Sequence, residues 1–174
     1  NNEGEEQWRF KPEGDILASG RKREVTAPVI WDLDGNGSKE IITGMGFELA
    51  AVNSKGKLVW SFPMKNRIDS GISIADADDD GEMEIYVVDL SGNIVSANGN
   101  GKPKWSTTLP GKVRRSPIIA DVDGDGIVEI LVAGYSSKMV IFNPTGEIDE
   151  EIAIKGGTNA APIVADLLGD GGLC

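Results

Sequence analysis

The chain repeats itself, and the repeat constrains its fold more than any other feature. "APVIWDLDGNGSKEII" starts at Ala27, "SGISIADADDDGEMEIY" at Ser70, "SPIIADVDGDGIVEIL" at Ser116 and "APIVADLLGDGG" at Ala161. Their first acids, Asp32, Asp76, Asp121 and Asp166, lie 44, 45 and 45 residues apart. A second marker keeps the same period: "GKLVW" ends at Trp60 and "GKPKW" at Trp105, 45 residues on. In the third copy Gly146 is kept, and Glu150 stands in the Trp place. Two markers in one register identify a structural repeat, not a chance similarity.

Each unit reads as four short strands. In the first unit these fall near residues 27–33, 40–44, 49–52 and 58–62. The turn words "NSKG", "NGNG" and "PTG" separate the third and fourth strands. β-Branched segments such as "IIT", "IYVV" and "ILVA" suit strands. No stretch keeps a helical 3.6-residue period. Four strands per 40–50 residues, repeated, is the pattern of β-propeller blades. The expected fold is therefore all-β, an incomplete propeller of four-stranded antiparallel blades. Residues 1–26 hold the last strand of a preceding blade ("EEQWRF") and a linker. Blades follow at 27–69, 70–115 and 116–160, and 161–174 starts another. Propellers typically need at least four blades. The expectation is thus a processed chain or a piece of a longer protein, or one that assembles with other copies.

The acids cluster at one place in each unit. Numbered from its first acid, loop 1 has Asp32, Asp34 and Asn36 at positions 1, 3 and 5. Loop 2 has Asp76, Asp78 and Asp80, and loop 3 has Asp121, Asp123 and Asp125. Position 6 is Gly37, Gly81 or Gly126, and position 9 is Glu40, Glu84 or Glu129. Alternate oxygens followed by Gly let a tight loop wrap a calcium ion, which takes 6–8 oxygen ligands. Gly permits the sharp bend that offers the main-chain carbonyl of position 7: Ser38, Glu82 or Ile127. An EF-hand closes with Glu at position 12 on a helix. Here Glu comes at position 9 and leads into a strand, so the loop joins two strands. Magnesium would use fewer protein ligands and stricter geometry. The competing reading is a row of solvated Asp-Gly turns. Three loops of identical spacing, whose carboxylates would repel without a cation, favour the metal. The fourth stretch keeps Asp166 and Asp170 but has Leu168 at position 3 and Cys174 at position 9, so it is a weaker site.

Composition narrows the remaining classes. The net charge is −11, which argues against nucleic acid as partner. With no His and a single Cys, at position 174, the usual zinc, copper and haem ligand sets are excluded, as is an internal disulfide. No apolar run reaches the roughly 18 residues of a membrane span.

The words "DLDGNGSKEI", "DADDDGEMEI" and "DVDGDGIVEI", each preceded by an apolar strand with "AP" or "SP" near its start, resemble FG-GAP/VCBS-type repeats. Those are the calcium-loop blades of the integrin α-subunit propeller and of many microbial surface proteins. The resemblance covers about 27–174. It implies a propeller, calcium between the first two strands, an extracellular, cell-surface or periplasmic setting, and protein or glycan partners. "AVNSKGKLVW" and "SANGNGKPKW" also resemble quinoprotein propeller words, in which Trp docks adjacent blades. Trp8, Trp60 and Trp105 are read as such seam residues. The expected function is a non-catalytic, calcium-binding propeller segment for recognition or surface architecture. The alternatives are part of a rhamnogalacturonan-lyase-like polysaccharide lyase, or a quinoprotein-like scaffold. Arg114 and Arg115 form an adjacent basic pair before a first strand, and they read as a solvated turn. Calcium sites of millimolar affinity fill only outside the cytosol; a cytosolic protein with empty loops is the other reading.

Overall fold

The computed structural model describes residues 4–10, 25–134, 137–156, 158 and 160–165. Twelve strands form three separate four-stranded sheets, each a simple antiparallel meander. Blade 1 comprises β1 (Val29–Trp31), β2 (Glu40–Met45), β3 (Glu48–Val52) and β4 (Leu58–Pro63). Blade 2 comprises β5 (Ile72–Ala75), β6 (Glu84–Val88), β7 (Asn93–Ala97) and β8 (Pro103–Thr108). Blade 3 comprises β9 (Ile118–Ala120), β10 (Glu129–Ala133), β11 (Lys138–Phe142) and β12 (Ile148–Ala153). These are the strands the repeat predicts, moved by a residue or two at their ends. Among the described residues there is no helix, hence none long and apolar enough to cross a membrane. The sheets are unclosed, as an incomplete propeller requires.

The second and third strands of each blade are buried on both faces, and period-two alternation sorts their residues between two seams. In β6, Ile85 and Val87 pack with Ile42, Leu49 and Ala51 of blade 1. Tyr86 and Val88 point the other way, into Ile130, Val132, Val140 and Phe142 of blade 3. Burying each such side chain is worth roughly 1.5–3 kcal/mol. The handful of such side chains that a blade gives to one seam contributes on the scale of the ~5–15 kcal/mol net stability of a domain, so stacking is a main support of each blade.

Trp residues lock the seams. Trp60 on β4 lies over Gly101 in the β7–β8 turn, and its Nε1 donates to the Gly99 carbonyl at 2.9 Å. Trp105 on β8 lies over Gly146 and donates to the Pro144 carbonyl at 2.8 Å. A Cβ on Gly101 would stand 2.6 Å from the Trp60 ring, and one on Gly146 2.4 Å from the Trp105 ring. Both glycines also take a positive φ, 74° and 87°. Trp105 additionally sits between Tyr86 and Phe142, with ring centroids 6.0 and 5.8 Å away. The seam role read from the sequence is what the structure places there.

Three local findings differ from the sequence reading. Residues 4–10 form no strand, because no strand of the described residues lies beside them to pair with, yet Trp8 still covers Gly56. Arg114 is not merely solvated: it meets Asp69 at 3.5 Å, and Arg67 holds the same carboxylate at 2.7 Å, joining the two connectors between blades. Glu150 does occupy the Trp register, opposite Ile141, but β12 is exposed along its length. There Leu131, Ile141 and Ile152 line a cavity of about 350 Å3 together with Pro162, Ile163 and Val164 of the next repeat.

Gly101→Ala is expected to cost about 2 kcal/mol or more, combining a left-handed backbone with overpacking against Trp60. Gly156 has a similar φ of 81° but open space around it, so Gly156→Ala is expected to cost only about 1 kcal/mol. Urea denaturation of both variants measures the difference; equal losses would contradict the seam contact.

Candidate metal centre

Each acidic loop joins the first and second strands of its blade, and three hydrogen bonds give all three the same shape. The carboxylate at position 1 accepts from the N–H at position 6: Asp32 from Gly37 at 2.7 Å, Asp76 from Gly81 at 3.0 Å and Asp121 from Gly126 at 3.0 Å. This folds the loop over its first acid, as Asx turns do. It demands positive φ at position 6, and the values are 85°, 85° and 90°. The side chain at position 5 then accepts from the N–H at position 7: Asn36 from Ser38 at 2.8 Å, Asp80 from Glu82 at 2.8 Å and Asp125 from Ile127 at 2.7 Å.

The third bond sets the floor of the loop. Glu40, Glu84 and Glu129 are the first residues of β2, β6 and β10 and are 6%, 1% and 6% exposed. Each uses Oε2 to accept the N–H at position 2: Leu33 at 3.1 Å, Ala77 at 3.0 Å and Val122 at 2.8 Å. A buried carboxylate on a rigid strand is thereby aimed into the loop, and in Glu84 the second oxygen, Oε1, accepts from Lys104 at 2.9 Å. In each loop a Glu oxygen lies within 4.8 Å of ligand oxygens at positions 1 and 3, giving the triads Asp32–Asp34–Glu40, Asp76–Asp78–Glu84 and Asp121–Asp123–Glu129. Those nine predicted residues are brought together. Asp80 and Asp125 fall outside the triads, and Asn36, Asp80 and Asp125 each spend an oxygen on the loop itself. The residues at position 7, Ser38, Glu82 and Ile127, contribute the N–H groups that complete the turn. Asp166 and Asp170 lie outside the described residues, as does Cys174.

The electrostatics are those of crowded acids. Burial pushes the Glu129 carboxyl above its ordinary value; the Val122 N–H opposes this, while Asp123, Asp121 and Asp125 push it further up. Loop 2 differs. The ammonium of Lys104, on β8 of the same blade, lies 2.6 Å from Asp78, 2.9 Å from Glu84 and 3.4 Å from Asp80. Burial opposes the charge on Lys104, yet its hydrogen bonds to Asp78 and Glu84 hold its pKa above the ordinary value. Asp80 is held low, first by the Glu82 N–H, with help from Lys104. Reading the sequence missed Lys104. Its signal is a Lys immediately before the Trp in one repeat only.

The donor set fits a hard cation. It is oxygen only, carries three carboxylates per triad, and has no nitrogen or sulfur. The three triads could each hold a metal ion.

Comparison with known proteins agrees with this geometry. The family model of the FG-GAP-like repeat matches residues 76–132, from the first acid of loop 2 to the last residue but one of β10. Comparison with curated protein sequences gave no match. Solved structures do match in fold. BBS1N, crystallised with ARL6DN and soaked with mercury, superposes with a TM-score of 0.62 at 15% identity, over 80% of this chain and 47% of its own. BamB from Moraxella catarrhalis gives 0.52 at 15% identity, over 75% and 39%. A europium-containing methanol dehydrogenase gives 0.52 at 12% identity, over 76% and 27%. The chain thus spans less than half the length of these structures, all of them β-propeller proteins. At such identities the likeness is one of fold alone. Residues 76–132 carry an FG-GAP-like repeat, set in a stack of β-propeller blades.

Proposed function

We propose that this segment is a calcium-stabilised, non-catalytic propeller scaffold that presents its surface to a protein or glycan outside the cytosol. One observation carries the calcium reading. In each of three blades a strand-borne, buried Glu, fixed through Oε2 by a backbone N–H, places a carboxylate oxygen within 4.8 Å of oxygens of two loop aspartates. A solvated turn gains nothing from burying a carboxylate beside two others. The ligands would be Asp32, Asp34 and Glu40; Asp76, Asp78 and Glu84; and Asp121, Asp123 and Glu129. Asn36, Asp80 and Asp125, and the carbonyls of Ser38, Glu82 and Ile127, are the candidates to complete each set. Calcium there supplies charge neutralisation and a cross-link between the loop and the second strand. The extracellular, surface or periplasmic setting follows from the affinity range of such oxygen cages, which fill near millimolar calcium. The scaffold reading draws support from the basic pair: Arg114 has a structural partner, Asp69, across the blade connectors.

Millimolar calcium is expected to raise the melting temperature reversibly, with EDTA undoing the shift. The gain is roughly 0.5–1.5 kcal/mol per filled site for a dissociation constant of 10⁻⁴–10⁻³ M. Scanning calorimetry with and without EDTA checks this, and an unchanged transition would contradict it. Glu129→Gln separates charge from hydrogen bonding, since the amide oxygen can still accept from Val122. A carboxyl whose folded pKa is raised favours the fold below that value and costs stability above it. The variant without calcium should therefore melt no lower than the parent at neutral pH, while binding one calcium fewer by calorimetric titration. For the recognition role, the calcium-loaded chain is expected to bind on a glycan array or to a protein without releasing unsaturated products from pectin. Measured pectin turnover would overturn the non-catalytic reading.

A further inference from the structure

The fourth strand of each blade carries a β-bulge at the same place. Pairing runs Ala51 with Trp60 and then Val52 with Leu58, Ser96 with Trp105 and then Ala97 with Pro103, and Ile141 with Glu150 and then Phe142 with Ile148. The extra residues are Val59, Lys104 and Asp149. A bulge re-aims its side chain out of the regular alternation, and in blade 2 it delivers Lys104 into the acidic loop. There the ammonium takes Oδ2 of Asp78 and Oε1 of Glu84, the latter being the oxygen that Ala77 leaves spare. These are oxygens from positions 3 and 9 of the candidate ligand set. Blade 1 has an uncharged side chain at this place. In blade 3 Asp149 lines one cavity with Asp123, Asp125 and Glu129, adding negative charge where blade 2 adds positive.

We propose that Lys104 is a resident counter-ion that competes with calcium for loop 2, so that loops 1 and 3 fill first and loop 2 fills last, expelling the ammonium. This inference rests on the calcium reading of the loops. Lysine suits the part: it is a point charge on a flexible four-carbon stem, able to leave for water without disturbing β8. It supplies one charge and three donors where calcium supplies two charges and binds six or more oxygens. Loop 2 is then partly balanced at low calcium, one positive charge against the three carboxylates of its triad, whereas the triads of loops 1 and 3 have no such side chain at the bulge. The bulge residue thus makes loops of the same backbone unequal in affinity.

Calorimetric calcium titration of the parent chain is expected to show two equivalents binding more tightly than a third. Asp76→Asn should delete the weak step and leave the tighter two. Lys104→Met should strengthen the weak step by roughly tenfold, the scale on which ligand charge tunes calcium sites. Lys104→Val, which copies the residue of blade 1, should do the same and guards against a fold defect peculiar to one variant. Melting provides a readout that a structural lysine would not give: each Lys104 variant should melt below the parent in EDTA, but not below it in excess calcium. Equal losses in both conditions, or a weak step that persists in the Lys104 variants, would overturn the inference while leaving the calcium reading intact. A weak step lost with Asp32→Asn or Asp121→Asn instead of Asp76→Asn would overturn it too. No calcium binding at any loop would overturn the calcium reading, and this inference with it.

Discussion

A sheet that is apolar on both faces has to be covered on both, and the rest of this structure follows from that requirement. Strands β6 and β10 are buried along their length and have no polar face to turn to water, so both their faces need cover. The seam therefore needs a device that fixes the distance and angle between blades. An outer-strand Trp supplies it by lying flat on a glycine of the next blade's turn and donating to a carbonyl two residues earlier. Trp60 and Trp105 lie 45 residues apart, as do the glycines they cover, Gly101 and Gly146, so this contact gives a physical reason for Trp and Gly to share the period, and blade 3 departs from it with Glu150.

Stacking the blades also lines up the acidic loops. Each loop begins where a short inner strand ends and closes where a buried second strand begins, so its closing Glu is as rigid as the core. That placement reverses the ordinary logic of a polar turn. A carboxylate that could have faced water is drawn under two others, a costly arrangement unless something positive balances it. The structure shows one such balance directly, the Lys104 ammonium in loop 2, which demonstrates that the pocket between positions 3 and 9 accommodates a cation. Backbone geometry is shared between blades; charge is not. The bulge residues Val59, Lys104 and Asp149 show how a repeat can hold its shape while its sites diverge.

The parts legible in the sequence are those set by period. Strand positions, the turn glycines, the Trp seams and the triads at positions 1, 3 and 9 all recur at fixed spacing. What depends on register or on distant partners was not legible. Lys104 reads as one more polar residue in "GKPKW" until the bulge shows where it points. Asp80 and Asp125 share the ligand spacing but fall outside the triads, and no spacing rule shows which acids of a loop converge. Asp89 carries no motif, but it is fully buried, accepting from Asn66 of the preceding connector and from Ser91 and Asn93 of its own turn. Arg114 looked solvated because its partner, Asp69, belongs to another connector. The segment 4–10 looked like a strand because it ends in the repeat's aromatic word, but a strand also needs a neighbour.

The most direct test of the central claim is anomalous diffraction from crystals grown in calcium and exchanged with a lanthanide. Peaks are expected between Asp32 and Glu40, between Asp76 and Glu84, and between Asp121 and Glu129, each within about 2.3–2.6 Å of its carboxylate oxygens. Ordered water alone at all three positions, in crystals saturated with metal, would contradict it.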